Sequence, residues 1–135
     1  MNFDPLLIFP AVACSLGLIL PTLYLFFEYY YFNKGQTVII DATGITLEKH
    51  GSKEFFPIKD LSKVTIYKSA TMEKRKWNFP LTSIELFYYA RIATNSGREI
   101  ILTCLLQPGF DDSLKRLEGV PTEIKRGFFL SILYP

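Results

Sequence analysis

Residues 6–27, LLIFPAVACSLGLILPTLYLFF, form 22 residues without a charge, followed by Glu28, Tyr29, Tyr30, Tyr31, Phe32 and Lys34. The run has three readings: a cleaved signal, a buried core helix or a membrane anchor. A secretory signal needs a cationic leader before its apolar part. Here the leader is MNFDP, with one acid and no Lys or Arg. The Ala11–Cys14 stretch AVAC has the look of a lipoprotein cleavage box, but it is followed by further apolar and small residues where such a protein turns polar. A soluble core helix would show an amphipathic period, and the run has none. At ~1.5 Å per residue the stretch is about 33 Å long, close to the hydrocarbon thickness of a bilayer. The tyrosines then fall where interfacial aromatic residues belong. Pro10 and Pro21 permit kinks, and Ser15 and Gly17 offer small surfaces to another helix. The reading is a single transmembrane anchor over residues 1–33, with a domain over 34–135.

No Lys or Arg precedes the anchor, and all 15 follow it, beginning with Lys34. The positive-inside rule therefore places the amino terminus outside and the domain in the cytoplasm. Cys14 lies in the apolar run and Cys104 in a strand, so no structural disulfide is expected and a reducing compartment fits. Beyond the anchor the balance is 15 cations against 11 acids once Asp4 and Glu28 are set aside. That surplus is too mild to indicate nucleic acid.

After the anchor, TVIID, GITLEK, EFFPI and KVTIYKS read as short strands divided by turns. Pro57 marks the end of the third or an edge. A polar loop follows over 69–82, then two longer strands over 84–94 and 98–106 joined by the hairpin turn NSG. Both are apolar on both faces, with Leu86, Tyr88 and Ile92 against Phe87, Tyr89 and Ala93. FDDSLKRLEG predicts one amphipathic helix, with Phe110, Leu114 and Leu117 in a stripe, Asp111 and Asp112 at its start and Gly119 at its end. The last stretch, VPTEIKRGFFLSILYP, reads as one more strand and an apolar tail. Residues 128–134 are too few to span a bilayer, but could pack on the sheet or touch the membrane.

The stretch TVIIDATGITLEKHGSKEFFPIKDLSKVTIYKS resembles bacterial pleckstrin-homology-like (PH-like) domains attached to membrane helices. The turns at Gly44 and Gly51, the PIKDLSKVTIYK lead into a fourth strand, the later hairpin and the helix carry the resemblance. It implies a mainly β fold: a strongly bent antiparallel sheet, nearly a barrel, with one amphipathic helix, here preceded by a single transmembrane helix. It implies binding rather than catalysis, at the inner (cell) membrane of a bacterium. Six strands are legible before the helix where the fold has seven. Either one hides in 69–82 or the seventh follows the helix.

No nucleophile–base pair, phosphate loop or metal cluster is legible. His50, the only histidine, reads as a solvated turn residue, and with two distant cysteines it makes no zinc site. No cofactor is expected. The function expected is a non-catalytic, membrane-anchored module that binds a protein partner or serves as an accessory subunit of a membrane complex. The alternative is a sensor of anionic lipid through Lys74, Arg75, Lys76 and Trp77, with Phe79 beside them. The first hairpin loop lacks the cations that would support phosphoinositide binding. For a protein partner, the second apolar face of the long strands, with Phe87 and Tyr89, and the tail residues Phe128 and Phe129 form the expected docking surface.

Overall fold

The computed structural model describes residues 4–70, 86–106 and 109–134. Helix α1 runs Pro5–Asn33. Asp4 caps it by accepting from the Leu6 N–H at 3.0 Å, and Pro5 at its start gives up a donor that has no partner in a first turn. At ~1.5 Å per residue it is about 43 Å long, more than a hydrocarbon core requires. Its 29 residues divide accordingly. Through Tyr24 the side chains are exposed or half-buried; beyond it, Leu25, Glu28 and Tyr29 are buried and Phe32 half-buried. These four stand at i, i+3, i+4 and i+7, one face of a helix.

Three strands follow, β1 (Gln36–Asp41), β2 (Gly44–Lys49) and β3 (Ser52–Pro57), paired antiparallel in that order. The β1–β2 turn is held by Asp41, whose Oδ1 accepts from the backbone N–H groups of Thr43 and Gly44 at 2.8 and 3.1 Å. The β2–β3 turn puts His50 and Gly51 at φ 51° and 79°, the geometry a two-residue hairpin needs to match strand twist. Pro57 is the last residue of β3, an edge strand of this sheet.

A single 3-10 turn, Ile58–Asp60, leads into β4 (Leu61–Lys68). The second sheet has the order β6-β5-β4-β7, with β5 at Tyr89–Thr94, β6 at Glu99–Thr103 and β7 at Thr122–Arg126. Among the described residues, the seventh strand follows the helical segment. It pairs parallel with β4, from Val64↔Thr122 to Lys68↔Arg126, so the sheet is not wholly antiparallel as the resemblance implied. The two sheets do not close into a barrel.

Both long strands are shorter than expected. In the first, Leu86–Tyr88 precede the strand pairing and residues 84 and 85 lie outside the described residues. The second stops at Thr103, where a turn closed by Leu106 N–H to the Thr103 carbonyl at 3.0 Å replaces the ladder. Helix α2 is likewise brief, Phe110–Leu114. Past it the chain tightens into i→i+3 bonds, Arg116 to Ser113 and Leu117 to Leu114, both at 3.1 Å, the way helix ends satisfy stray carbonyls. The predicted stripe survives that tightening: Phe110, Leu114 and Leu117 are all buried.

The second sheet is covered on both faces. On one side Val64, Ile66, Ala90, Ile92, Ile100 and Leu102 pack with Ile40 and Ile45 of the first sheet and with Phe110, Leu114 and Leu117. On the other, Phe87 and Tyr89 pack with Leu25 and Tyr29 of α1 and with Leu130 and Ile132 of the tail. Period-two alternation in β5 sends Ala90 and Ile92 one way and Tyr89 the other. This is why the strand reads as apolar throughout.

Candidate functional site at the helix–sheet junction

The second core is the place where the apolar helix meets the domain. Tyr29 sits at its centre with no solvent exposure. Its ring meets Phe87 and Tyr89 edge-on, at centroid distances of 5.2 and 6.0 Å, a favoured aromatic geometry. Its hydroxyl donates to the Leu130 carbonyl at 2.8 Å. Tyr89 stacks on Tyr67 at 4.6 Å and donates its hydroxyl to the Ser131 carbonyl at 3.2 Å. Burial raises the Tyr89 phenol above the ordinary tyrosine range, so it stays a neutral donor at physiological pH.

Glu28 completes the clamp from the helix side. Its Oε1 accepts from Ser131 Oγ at 3.0 Å and from the Leu133 N–H at 2.7 Å, while Oε2 is buried with no hydrogen-bond partner. From the sheet side, Arg91 donates to the Ile132 carbonyl, pairs with Glu99 at 3.0 Å and lies over the Tyr89 ring. Thr103 Oγ1 donates to Asn33 Oδ1 at 2.7 Å and fixes the end of α1 to β6. Three segments far apart in sequence are thus joined by directional bonds around an aromatic cluster.

Beside the clamp, a cavity of about 440 Å³ is lined by Tyr67, Tyr89, Lys125, Arg126, Phe129 and Ser131 among others. The Lys125 ammonium stands over the Tyr67 ring, 5.8 Å from its centroid. A second hollow, about 340 Å³, lies between α2 and β7 and is lined in part by Lys68, Asp111, Asp112 and Lys115. Its floor holds a buried Lys68–Asp111 ion pair. Lys68 also lies 5.6 Å from the centroid of the Tyr88 ring, which stacks on Phe110. These contacts pin β4 to α2.

The expected docking residues are divided by the structure. Phe87 and Tyr89 are inside the junction, whereas Phe128 and Phe129 are 55% and 43% exposed. Lys74, Arg75, Lys76, Trp77 and Phe79 lie outside the described residues. His50 occupies its hairpin turn, where its ring approaches Gly35. Cys14 is exposed on α1 and Cys104 half-buried, both free, and burial raises the Cys104 thiol above its ordinary value. Among the described residues no group of three or more His, Cys, Asp or Glu could hold a metal ion.

Sequence reading missed Glu28 and Tyr29 as junction residues. The signal was available: Leu25, Glu28, Tyr29 and Phe32 have helical one-face spacing, beginning just before the uncharged run ends. Treating that run as one object concealed the change of character within it.

No curated protein and no solved structure significantly matches the chain. A family model described as PH domain matches residues 1–110, which takes in α1 and the strands through β6. The chain belongs to the PH domain family.

Proposed function

We propose that the protein is a non-catalytic interaction module, held in fixed orientation at a membrane by α1, whose PH-like domain binds a protein partner or completes a membrane complex. PH domains are in general interaction modules, and the family supports that class of role. The placement follows the cation bias, with a single pass, the amino terminus outside and the domain in the cytoplasm of a bacterial cell. One observation carries the reading: a helix apolar enough to cross a membrane ends in a stripe, Leu25, Glu28 and Tyr29, that is buried in the domain's own core. Removal of that helix as a signal would open the core, whereas retention gives the domain a rigid mount. The buried polar groups support the same reading, since Glu28, Tyr29 and Arg91 fasten the tail and Lys68 with Asp111 fastens α2.

The test exchanges residues 6–24 for an unrelated apolar spanning sequence and keeps 25–135 intact. Tagged wild-type and exchanged chains are purified in mild detergent and their bound proteins compared. The same bound proteins on both chains support a domain-borne function. Bound proteins that follow residues 6–24 would assign recognition to the helix and refute this reading. Recovery of the wild-type chain in the soluble fraction would refute the membrane placement.

A further inference from the structure

We propose that segment 127–134 is a second membrane contact, an interfacial wedge that sets Phe128, Phe129, Leu133 and Tyr134 into the leaflet from which α1 emerges. The proposal rests on the reading of α1 as membrane-spanning and goes beyond it. Within the tail, Leu130, Ser131 and Ile132 are buried against the junction while Phe128, Phe129, Leu133 and Tyr134 point out. Four large, mostly apolar side chains in eight residues is more than a small domain ordinarily leaves in water.

Lipid is the occupant because the patch is continuous with the apolar helix. Phe129 stacks on Tyr24 at 5.9 Å with an interplanar angle of 25°. Tyr24 stands on the exposed stretch of α1, immediately before the stripe that enters the domain. A bilayer that surrounds the helix up to Tyr24 therefore reaches Phe129. Aromatic rings are the side chains best suited to that level. Exposed Lys125 and Arg126 end β7 just ahead of the segment, where cations gain from anionic headgroups. The tail cannot swing clear of the helix without breaking the bonds from Tyr29 and Glu28. Its backbone is held while its outward side chains face the lipid, the arrangement of an interfacial anchor.

Depth-dependent fluorescence quenching tests this on the full chain in bilayers that contain lipid brominated near the top or, in parallel samples, near the end of the acyl chain. Trp77, the single native tryptophan, is replaced by Phe, and one reporter is introduced per variant: Phe129→Trp, Tyr134→Trp, Leu16→Trp in α1 or Phe55→Trp on the exposed side of β3. Strong quenching at 129 and 134 with none at 55 is the expected result. Quenching at 16 without quenching at 129 and 134 overturns the wedge and leaves the anchor standing. That outcome would give the patch to a second copy of the chain or to a protein partner. Absence of quenching at 16 refutes the anchor, and the wedge falls with it. The two tail reporters guard against a local disturbance of the Tyr24 stack by the Phe129 substitution.

Discussion

The Tyr29 hydroxyl donates a 2.8 Å hydrogen bond to the Leu130 carbonyl, across 101 positions of sequence. The bond joins the end of the apolar helix to the carboxyl-terminal tail and is fully enclosed. Tyr29→Phe keeps the ring packing but leaves a buried carbonyl without its donor, a loss of about 1–3 kcal/mol. Tyr29→Ala removes the ring as well, for about 3–5 kcal/mol. Denaturant unfolding in detergent measures both. Hydrogen exchange adds a local readout, in which Tyr29→Phe accelerates exchange over 127–134 more than over β2 and β3.

Glu28 works at the same junction as an acceptor, since Oε1 takes the Ser131 hydroxyl and the Leu133 N–H while Oε2 has no hydrogen-bond partner. Glu28→Gln preserves one carbonyl oxygen in that position and is expected to cost less than Glu28→Ala. Glu28→Ala strands two donors and is expected to cost about 2 kcal/mol or more. Equal destabilisation by the two variants would show that one retained acceptor does not hold the tail.

Much of this fold was legible in the chain. Gly44 and Gly51 marked hairpins, Val64 and Ile66 alternated into the core, and Phe110, Leu114 and Leu117 shared a buried face. Apolar residues on both sides of β5 correctly signalled two covered faces, because period-two patterning reports burial directly. What covers the second face was harder to read. Tyr29, Tyr89 and Leu130 meet only through long-range packing, and no local pattern encodes their meeting. The parallel pairing of β7 with β4 is similarly a choice among edges, which propensity does not make. Segment length misled where side-chain bonds and turns, such as Thr103 to Asn33, ended the ladder early.

The first hairpin carries a pH dependence. Asp41 lies below the ordinary aspartate range, foremost because the Thr43 hydroxyl bonds its carboxylate, with the Thr43 and Gly44 N–H groups adding to the effect. A depressed folded-state value means that the unfolded chain binds the proton more readily. The contribution is therefore complete above the unfolded value of about 3.9 and is lost as pH falls through the folded one. Asp41→Asn keeps an acceptor at this position but cannot titrate. Melting temperatures across the acidic range should show the wild type losing part of its advantage over this variant as pH drops below about 4. A constant difference would mean that Asp41 does not contribute through its charge.

Lys68 and Asp111 form an ion pair whose side chains are 9% and 7% exposed. Two charges taken that far out of water give up hydration that their attraction only partly returns. The consequence is an asymmetry between breaking the pair and replacing it. Lys68→Met retains most of the side-chain volume against Tyr88 but takes the Lys68 ammonium away from the buried Asp111 carboxylate, a loss of about 3–5 kcal/mol. Lys68→Met combined with Asp111→Leu removes both charges and lets α2 and β4 meet through apolar contact. The double variant should recover most of that loss, so the coupling energy in a double-mutant cycle should exceed the energy recovered. Denaturant midpoints for the wild type, the two single variants and the double variant provide the cycle. A double variant no more stable than Lys68→Met would mean that Asp111 holds α2 through its other contacts, and that the ion pair is not what fastens the helix to the sheet.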